Sequence, residues 1–309
     1  MNSNASSSSS SSSSARRRAL VLGGGGSTGN AWLIGVVAGL HDAGLDVTDA
    51  ELTIGTSAGS TAAAQLVGAG PAELYLAALT PISPPPHRRP AHAEHGAARN
   101  ASVHDHLERM HRIIDASADA GDLRRRIGSA ALELPASSDD VRQAQWRATV
   151  AARLPEPDWP ERAVLVTAID AESGAPVVFD RGSGVELVDA VAASCSSGFA
   201  YTIGDRRYLD GGFRSNAENA DLAAESDRVL VLSPFSGRSL TPIEWGTHLS
   251  TQLDELRAGG SLVETIFPES AAEHLFGANA MDLSLRPAAA RAGYEQGVAL
   301  AGRLTGFWG

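Results

Sequence analysis

Five residues, Gly55-Thr56-Ser57-Ala58-Gly59, carry the strongest chemical suggestion in the chain. They spell G-x-S-x-G, the nucleophile-elbow pattern, in which a sharp strand-to-helix turn lifts a serine hydroxyl above a sheet edge. Gly55 and Gly59 lack Cβ atoms, so strand and helix can approach closely at the turn. A helix starting at Ala58 would aim free N–H groups and its positive dipole end at the reacting centre. The pattern by itself reads equally well as a glycine-bearing turn, because glycine and serine are common.

A second stretch, Gly23-Gly24-Gly25-Gly26-Ser27-Thr28-Gly29, exposes several backbone N–H groups in one place. Such a nest binds an anion, either a phosphate or the oxyanion of a tetrahedral intermediate. Gly24-x-Gly26-x-x-Gly29 also matches the dinucleotide fingerprint, so a non-catalytic nucleotide-binding or regulatory module is the alternative reading. That fingerprint wants an acidic residue at the end of the next strand to hold a ribose. Here Gly55-Thr56-Ser57 take that place, while Asp46, Asp49 and Glu51 lie before the strand or at its start. A third stretch, Asp210-Gly211-Gly212, reads in isolation as a turn.

The elements around these stretches alternate. Residues 19–22, 51–54, 162–169, 175–179, 228–232 and 262–267 read as strands. Helical patterns cover 30–43, 58–67, 71–79, 103–118, 141–154, 185–193, 242–258 and 287–304. Trp32, Leu33, Val36, Val37 and Leu40 show the 3.6 period in the first of them. Strands alternating with helices predict an α/β fold, with a mostly parallel central sheet covered on both faces.

Composition narrows the function. A chain of 309 residues suits one large domain, here 18–309. A net charge of −11 argues against nucleic acid as a partner. The single cysteine, Cys195, excludes an intrachain disulfide and fits a reducing, cytoplasmic setting. Residues 1–17, dominated by nine consecutive serines, cannot bury apolar area and predict a disordered tail. Residues 81–160 open with a Pro- and His-rich run and read as an insertion or lid on the active-site side. They hold His87, His92, His95, His104, His106 and His111, but not the i, i+4 pair of a helical zinc motif. A solvated, flexible segment without metal is the expectation there.

Taken together, the glycine loop, G-T-S-A-G and D-G-G follow one another in the order seen in the patatin-like phospholipases, which this chain resembles over roughly 18–305. The resemblance implies a three-layer α/β/α sandwich and hydrolysis of acyl esters in lipids without a metal or other cofactor. It implies a Ser–Asp dyad, with Ser57 as nucleophile and Asp210 as base. It also implies an oxyanion hole in the glycine loop, at Gly24, Gly25 and Gly26, with the Gly25 and Gly26 N–H groups as the donors. Chemistry agrees: a serine hydroxyl is a weak nucleophile until a base takes its proton, and a carboxylate can do so if burial raises its pKa. A triad would need a histidine beyond the acid, where only His248 and His274 are available, both within or between helical segments.

Thr28 stands where the family commonly carries Arg or Lys, which makes esterase activity a firmer expectation than phospholipase activity. A lipid substrate implies transient contact with a membrane or micelle surface, for which Arg16–Arg18 or the arginines at 124–126 offer local positive charge.

Overall fold

A computed structural model describes residues 17–81 and 107–309 of the chain. The serine tail up to residue 16 and most of the Pro- and His-rich run, with His87, His92, His95, His104 and His106, lie outside the described residues.

An eight-stranded sheet forms the middle layer. Its strands are β1 (Arg18–Leu22), β2 (Leu52–Gly55), β3 (Ala163–Asp170), β4 (Pro176–Phe179), β5 (Tyr201–Ile203), β6 (Arg206–Asp210), β7 (Arg228–Leu232) and β8 (Leu262–Ile266). The order is β5-β6-β3-β2-β1-β7-β8, with β4 also paired to β3. β1, β2, β3, β7 and β8 run parallel. β4 and β6 pair antiparallel with β3, and β5 antiparallel with β6. The sheet is therefore mixed, with its parallel character confined to one half. The expectation of alternating strands and helices fails over 201–210, where only Gly204 (φ 61°) and Asp205 separate β5 from β6. Two residues suffice for a hairpin but not for a crossover.

Side chains alternate between the two faces of the sheet and so define the outer layers. Leu20, Leu22, Val166, Ala168, Leu230 and Leu232 face a large core. Helices α1 (Gly26–Asp42), α2 (Ala58–Gly68), α3 (Pro71–Leu79), α5 (Asp140–Ala151), α6 (Leu187–Ser194) and α8 (Arg286–Trp308) contribute to it. Ala19, Val21, Ile54, Val229 and Val231 face the other way, onto α7 (Leu249–Ala258). Ile169 and Leu209 pack on α4 (Ala120–Leu132). The three-layer sandwich expected from the sequence is present. Helix α4 has no counterpart among the sequence-predicted helices, and the pattern at 242–258 is broken at Gly246, where φ is 68°.

One helix contact matters for the site. A Cβ on Gly35 or Gly39 would lie 2.2 Å from the carbonyl of Ala290 or Tyr294. The reverse holds for Gly293 and Gly297, at 2.3 Å from the carbonyls of Trp32 and Val36. Glycine on both helices brings the backbones of α1 and α8 together, and this sets the start of α8 beside the start of α1.

Among the described residues, no helix is long and apolar enough to cross a membrane.

Candidate active site

Ser57 sits where β2 ends and α2 begins, with φ 53° and ψ −116°. A non-glycine residue at positive φ is uncommon and strained, and it persists only when its surroundings over-determine it. Here they do. A Cβ on Gly59 would fall 1.8 Å from the Leu22 carbonyl, and one on Gly55 would fall 2.6 Å from Ser60 Cα. The turn is thus wedged against the end of β1. The Ser57 N–H donates to Ser194 Oγ at 2.9 Å. Its carbonyl accepts from Ser60 Oγ at 2.6 Å and from Cys195 Sγ at 3.1 Å.

Asp210 ends β6, held in register by pairing with Ala168 of β3. Its Oδ2 accepts from Ser57 Oγ at 2.8 Å, across 153 residues of sequence. Its Oδ1 accepts from the Gly212 N–H at 2.8 Å, which fixes the carboxylate's orientation. Asp210 is 7% exposed. Burial pushes its pKa up from 3.8 to about 6, against the lowering effect of the Gly212 and Ser57 hydrogen bonds. Burial, and Asp210 alongside, also push the Cys195 thiol up to about 11, so it stays a protonated donor.

The glycine loop faces this pair. A Cβ on Gly24 would stand 3.5 Å from Ser57 Cβ. The Gly24 N–H, however, donates to the Ala217 carbonyl at 2.7 Å. It is therefore spent inside the fold, and the expected donors are the other two, Gly25 and Gly26. Gly25 and Gly26 donate to no acceptor among the described residues. Gly26 has φ 63°, and a Cβ there would meet the Ala280 carbonyl at 2.7 Å, so only glycine can open α1 in this conformation. Ala58 also donates to no acceptor among the described residues.

A cavity of about 490 Å³ connects these groups. Gly24, Gly25, Gly26, Ser57, Ala58 and Asp210 line it, together with the apolar side chains of Trp146, Phe213, Phe235, Met281 and Leu283. Its polar wall includes Arg153 and Arg286. Trp146 and Arg153 come from the 81–160 stretch, whose described part is anchored: Trp146 Nε1 donates to the Ala192 carbonyl at 3.0 Å. Neither His248 nor His274 lines the cavity. His248 occupies the N-cap position of α7 rather than lying inside the helix, and its Nε2 lies 2.7 Å from the Thr241 carbonyl outside it. Among the described residues no group of three or more His, Cys, Asp or Glu could hold a metal ion.

Beneath the cavity a buried polar cluster joins the two strand ends. Thr56 Oγ1 and Thr167 Oγ1 lie 2.9 Å apart. Asn219 Nδ2 reaches Thr56 Oγ1 at 3.0 Å and the Gly211 carbonyl at 3.0 Å. Sequence reading missed Ser194, Asn219, Arg153 and Arg286. None lies in a local pattern; Arg286 stands one residue ahead of the predicted start of its helix.

The family model for patatin-like phospholipase matches residues 20–223, which include all three motifs. No curated protein matches the chain. Among solved structures, the crystal structure of VipD from Legionella pneumophila is similar at 13% identity and a TM-score of 0.42, over 93% of this chain and 67% of that one.

Proposed function

Because the chain belongs to the patatin-like phospholipase family, we propose that it is a serine acyl hydrolase cleaving carboxylic ester bonds of lipids through Ser57 and Asp210. The observation that carries the reading is the 2.8 Å contact from Ser57 Oγ to a buried carboxylate, in a cavity also lined by Gly25 and Gly26.

The chemistry follows from the groups present. Asp210, with its pKa near 6, is ionised at neutral pH and basic enough to take a hydroxyl proton as the bond forms. Ser57 Oγ attacks the ester carbonyl, its proton passes to Asp210 Oδ2, and the carbonyl π pair moves onto oxygen. That oxyanion lies against the Gly25 and Gly26 N–H groups and the positive end of α1. One such donor is worth about 3 kcal/mol in other hydrolases. Collapse breaks the ester C–O bond, the leaving alcohol takes the proton from Asp210, and an acyl-Ser57 remains. Water then attacks it with Asp210 again as base, which releases the acid and restores the serine. Trp146, Phe213, Phe235, Met281 and Leu283 give the acyl chain an apolar wall. Reaching a lipid substrate requires transient contact with a membrane or micelle surface, and the lone free cysteine fits a cytoplasmic location.

Labelling by a fluorescent fluorophosphonate tests the reading. Wild type should label and Ser57→Ala should not. Asp210→Ala should hydrolyse p-nitrophenyl esters at least about a thousandfold more slowly, while melting cooperatively. Full activity in either folded variant would sink the dyad.

A further inference from the structure

The cavity wall carries two cations whose charge no acidic side chain among the described residues answers. The Arg286 guanidinium, at the first residue of α8, is half-buried and held only by neutral acceptors. Its Nη1 donates to the Ser27 carbonyl at 2.8 Å and to Ser27 Oγ at 3.2 Å, and both terminal nitrogens reach Asn30 Oδ1 at 3.3 Å. No carboxylate among the described residues lies within ion-pair distance of it. Arg153 has no such partner either, and its guanidinium sits over the Trp146 ring, 5.7 Å from the centroid. The two arginines are close enough to act on each other: burial, and then the Arg153 charge, both hold Arg286 below its ordinary pKa. Elsewhere in this acidic chain, several arginines are paired with carboxylates, as in Arg18 with Asp49 and Glu51, Arg147 with Asp189, and Arg214 with Asp221.

The acidic residue on the cavity wall does not answer these charges. Asp210 is engaged by Ser57 on one oxygen and by Gly212 on the other. A desolvated cation beside a second cation costs free energy unless an anion completes it. The planar guanidinium, with donors left over, is suited to grip an oxyanion through paired hydrogen bonds. The site lies close to the chemistry. Asn30, which accepts from Arg286, also donates to the Ala58 carbonyl next to Ser57, at 3.5 Å.

We propose that Arg286 and Arg153 form an anion subsite, so that the preferred ester carries a negatively charged phosphate or carboxylate group in addition to the scissile acyl bond. This rests on the acyl-hydrolase reading and names its substrate class. Arg286 is the principal contact and Arg153, exposed at the rim, the weaker one.

Two matched substrate pairs separate the sources of the charge: dihexanoyl phosphatidic acid against dihexanoylglycerol, and p-nitrophenyl hemisuccinate against p-nitrophenyl butyrate. The readout is the ratio of kcat/KM for the charged to the neutral ester. Loss of the Arg286–Ser27 bond can loosen the glycine loop, but that lowers both esters alike and cancels from the ratio. Wild type should favour the charged member of at least one pair by roughly tenfold or more, the worth of a charged hydrogen bond. Arg286→Gln should erase the preference and Arg153→Gln should reduce it several-fold. A wild-type ratio of one or less in both pairs, or a ratio unchanged in both variants, overturns the subsite while leaving the hydrolase standing. If wild type hydrolyses none of the four esters, the hydrolase reading fails by itself. Thermal stabilisation by dihexanoyl phosphatidic acid then decides the subsite: stabilisation lost in both variants supports it, and no stabilisation of wild type overturns it.

Discussion

The two halves of the sheet meet at the cavity and bring it unlike things. The parallel half brings backbone: the glycine loop after β1 and the strained elbow after β2. The antiparallel half brings a side chain, Asp210, at the end of β6. On the first side, position is enforced by steric prohibition, since Gly59 would collide with Leu22 if it carried a Cβ. On the second, position is set by strand pairing and hydrogen bonds, and the cost lies in burying a carboxylate that no cation among the described residues pairs with. A nucleophile can be held by shape alone. A base has to be held by shape and also kept out of water, so that its pKa rises toward working pH.

The largest effect should come from putting the same methyl group into each half. Gly59→Ala places a Cβ 1.8 Å from a backbone oxygen that has nowhere to go. Overpacking of that severity should cost more than about 3 kcal/mol and abolish fluorophosphonate labelling. Gly198→Ala, in the loop before β5, meets nothing within 4 Å and should shift stability by less than about 0.5 kcal/mol. Urea unfolding of both variants checks the contrast. Similar losses in the two would mean that the elbow can relax and its strain is not enforced.

Asp210→Asn comes next and works in the opposite direction. The folded-state pKa of Asp210, about 6, lies above its ordinary 3.8, so between these values the folded protein holds the proton more tightly than the unfolded chain does. Stability contributed by this group is therefore present at low pH and lost as pH rises through 6. At neutral pH the buried charge costs about 3 kcal/mol. The asparagine variant should be inactive yet melt several degrees higher than wild type at neutral pH. The difference should close as pH falls toward about 4. Wild-type kcat/KM should rise with pH through about 6 and then level off. A variant that melts lower than wild type at neutral pH would show that the carboxylate is not under this strain.

The same contrast explains what could be read from the sequence. Where backbone geometry demands glycine, the chain carries a local pattern, and Gly23–Gly29, Gly55–Gly59 and Asp210–Gly212 could be placed at strand ends in order. The buried strands of the parallel half were legible from pattern too: 229–232 is an unbroken apolar run. In the antiparallel half β4 was legible at 175–179, but the β5–β6 hairpin was not, because β5 has only three residues and one of them is exposed. Arg286 and Arg153 escaped notice because an arginine's meaning depends on whether a carboxylate faces it, and that is decided by folding. The paired glycines of α1 and α8 were a missed signal, two four-residue spacings that could have been matched.

The smallest predicted effect concerns the seam between the halves. Asn219 is fully buried, has φ 56°, and spans from Thr56 at the elbow to the Gly211 carbonyl beside the base. Its Nδ2 also lies 3.1 Å from the Asn216 carbonyl. Asn219→Ala removes these donors and adds the cost of an alanine at positive φ. Asn219→Gly removes the donors and relieves the backbone. Leaving buried acceptors without partners should cost about 2 kcal/mol in both variants, with alanine worse by up to about 1 kcal/mol. The informative readout is kinetic. If the seam holds the serine and the carboxylate in register, both variants should lose tenfold or more in kcat with little change in KM, because a small misplacement of reacting groups is expensive. Variants that are destabilised by this amount but turn over at the wild-type rate would place Asn219 in the packing alone. Each half of the sheet would then hold its own catalytic group without help from the other.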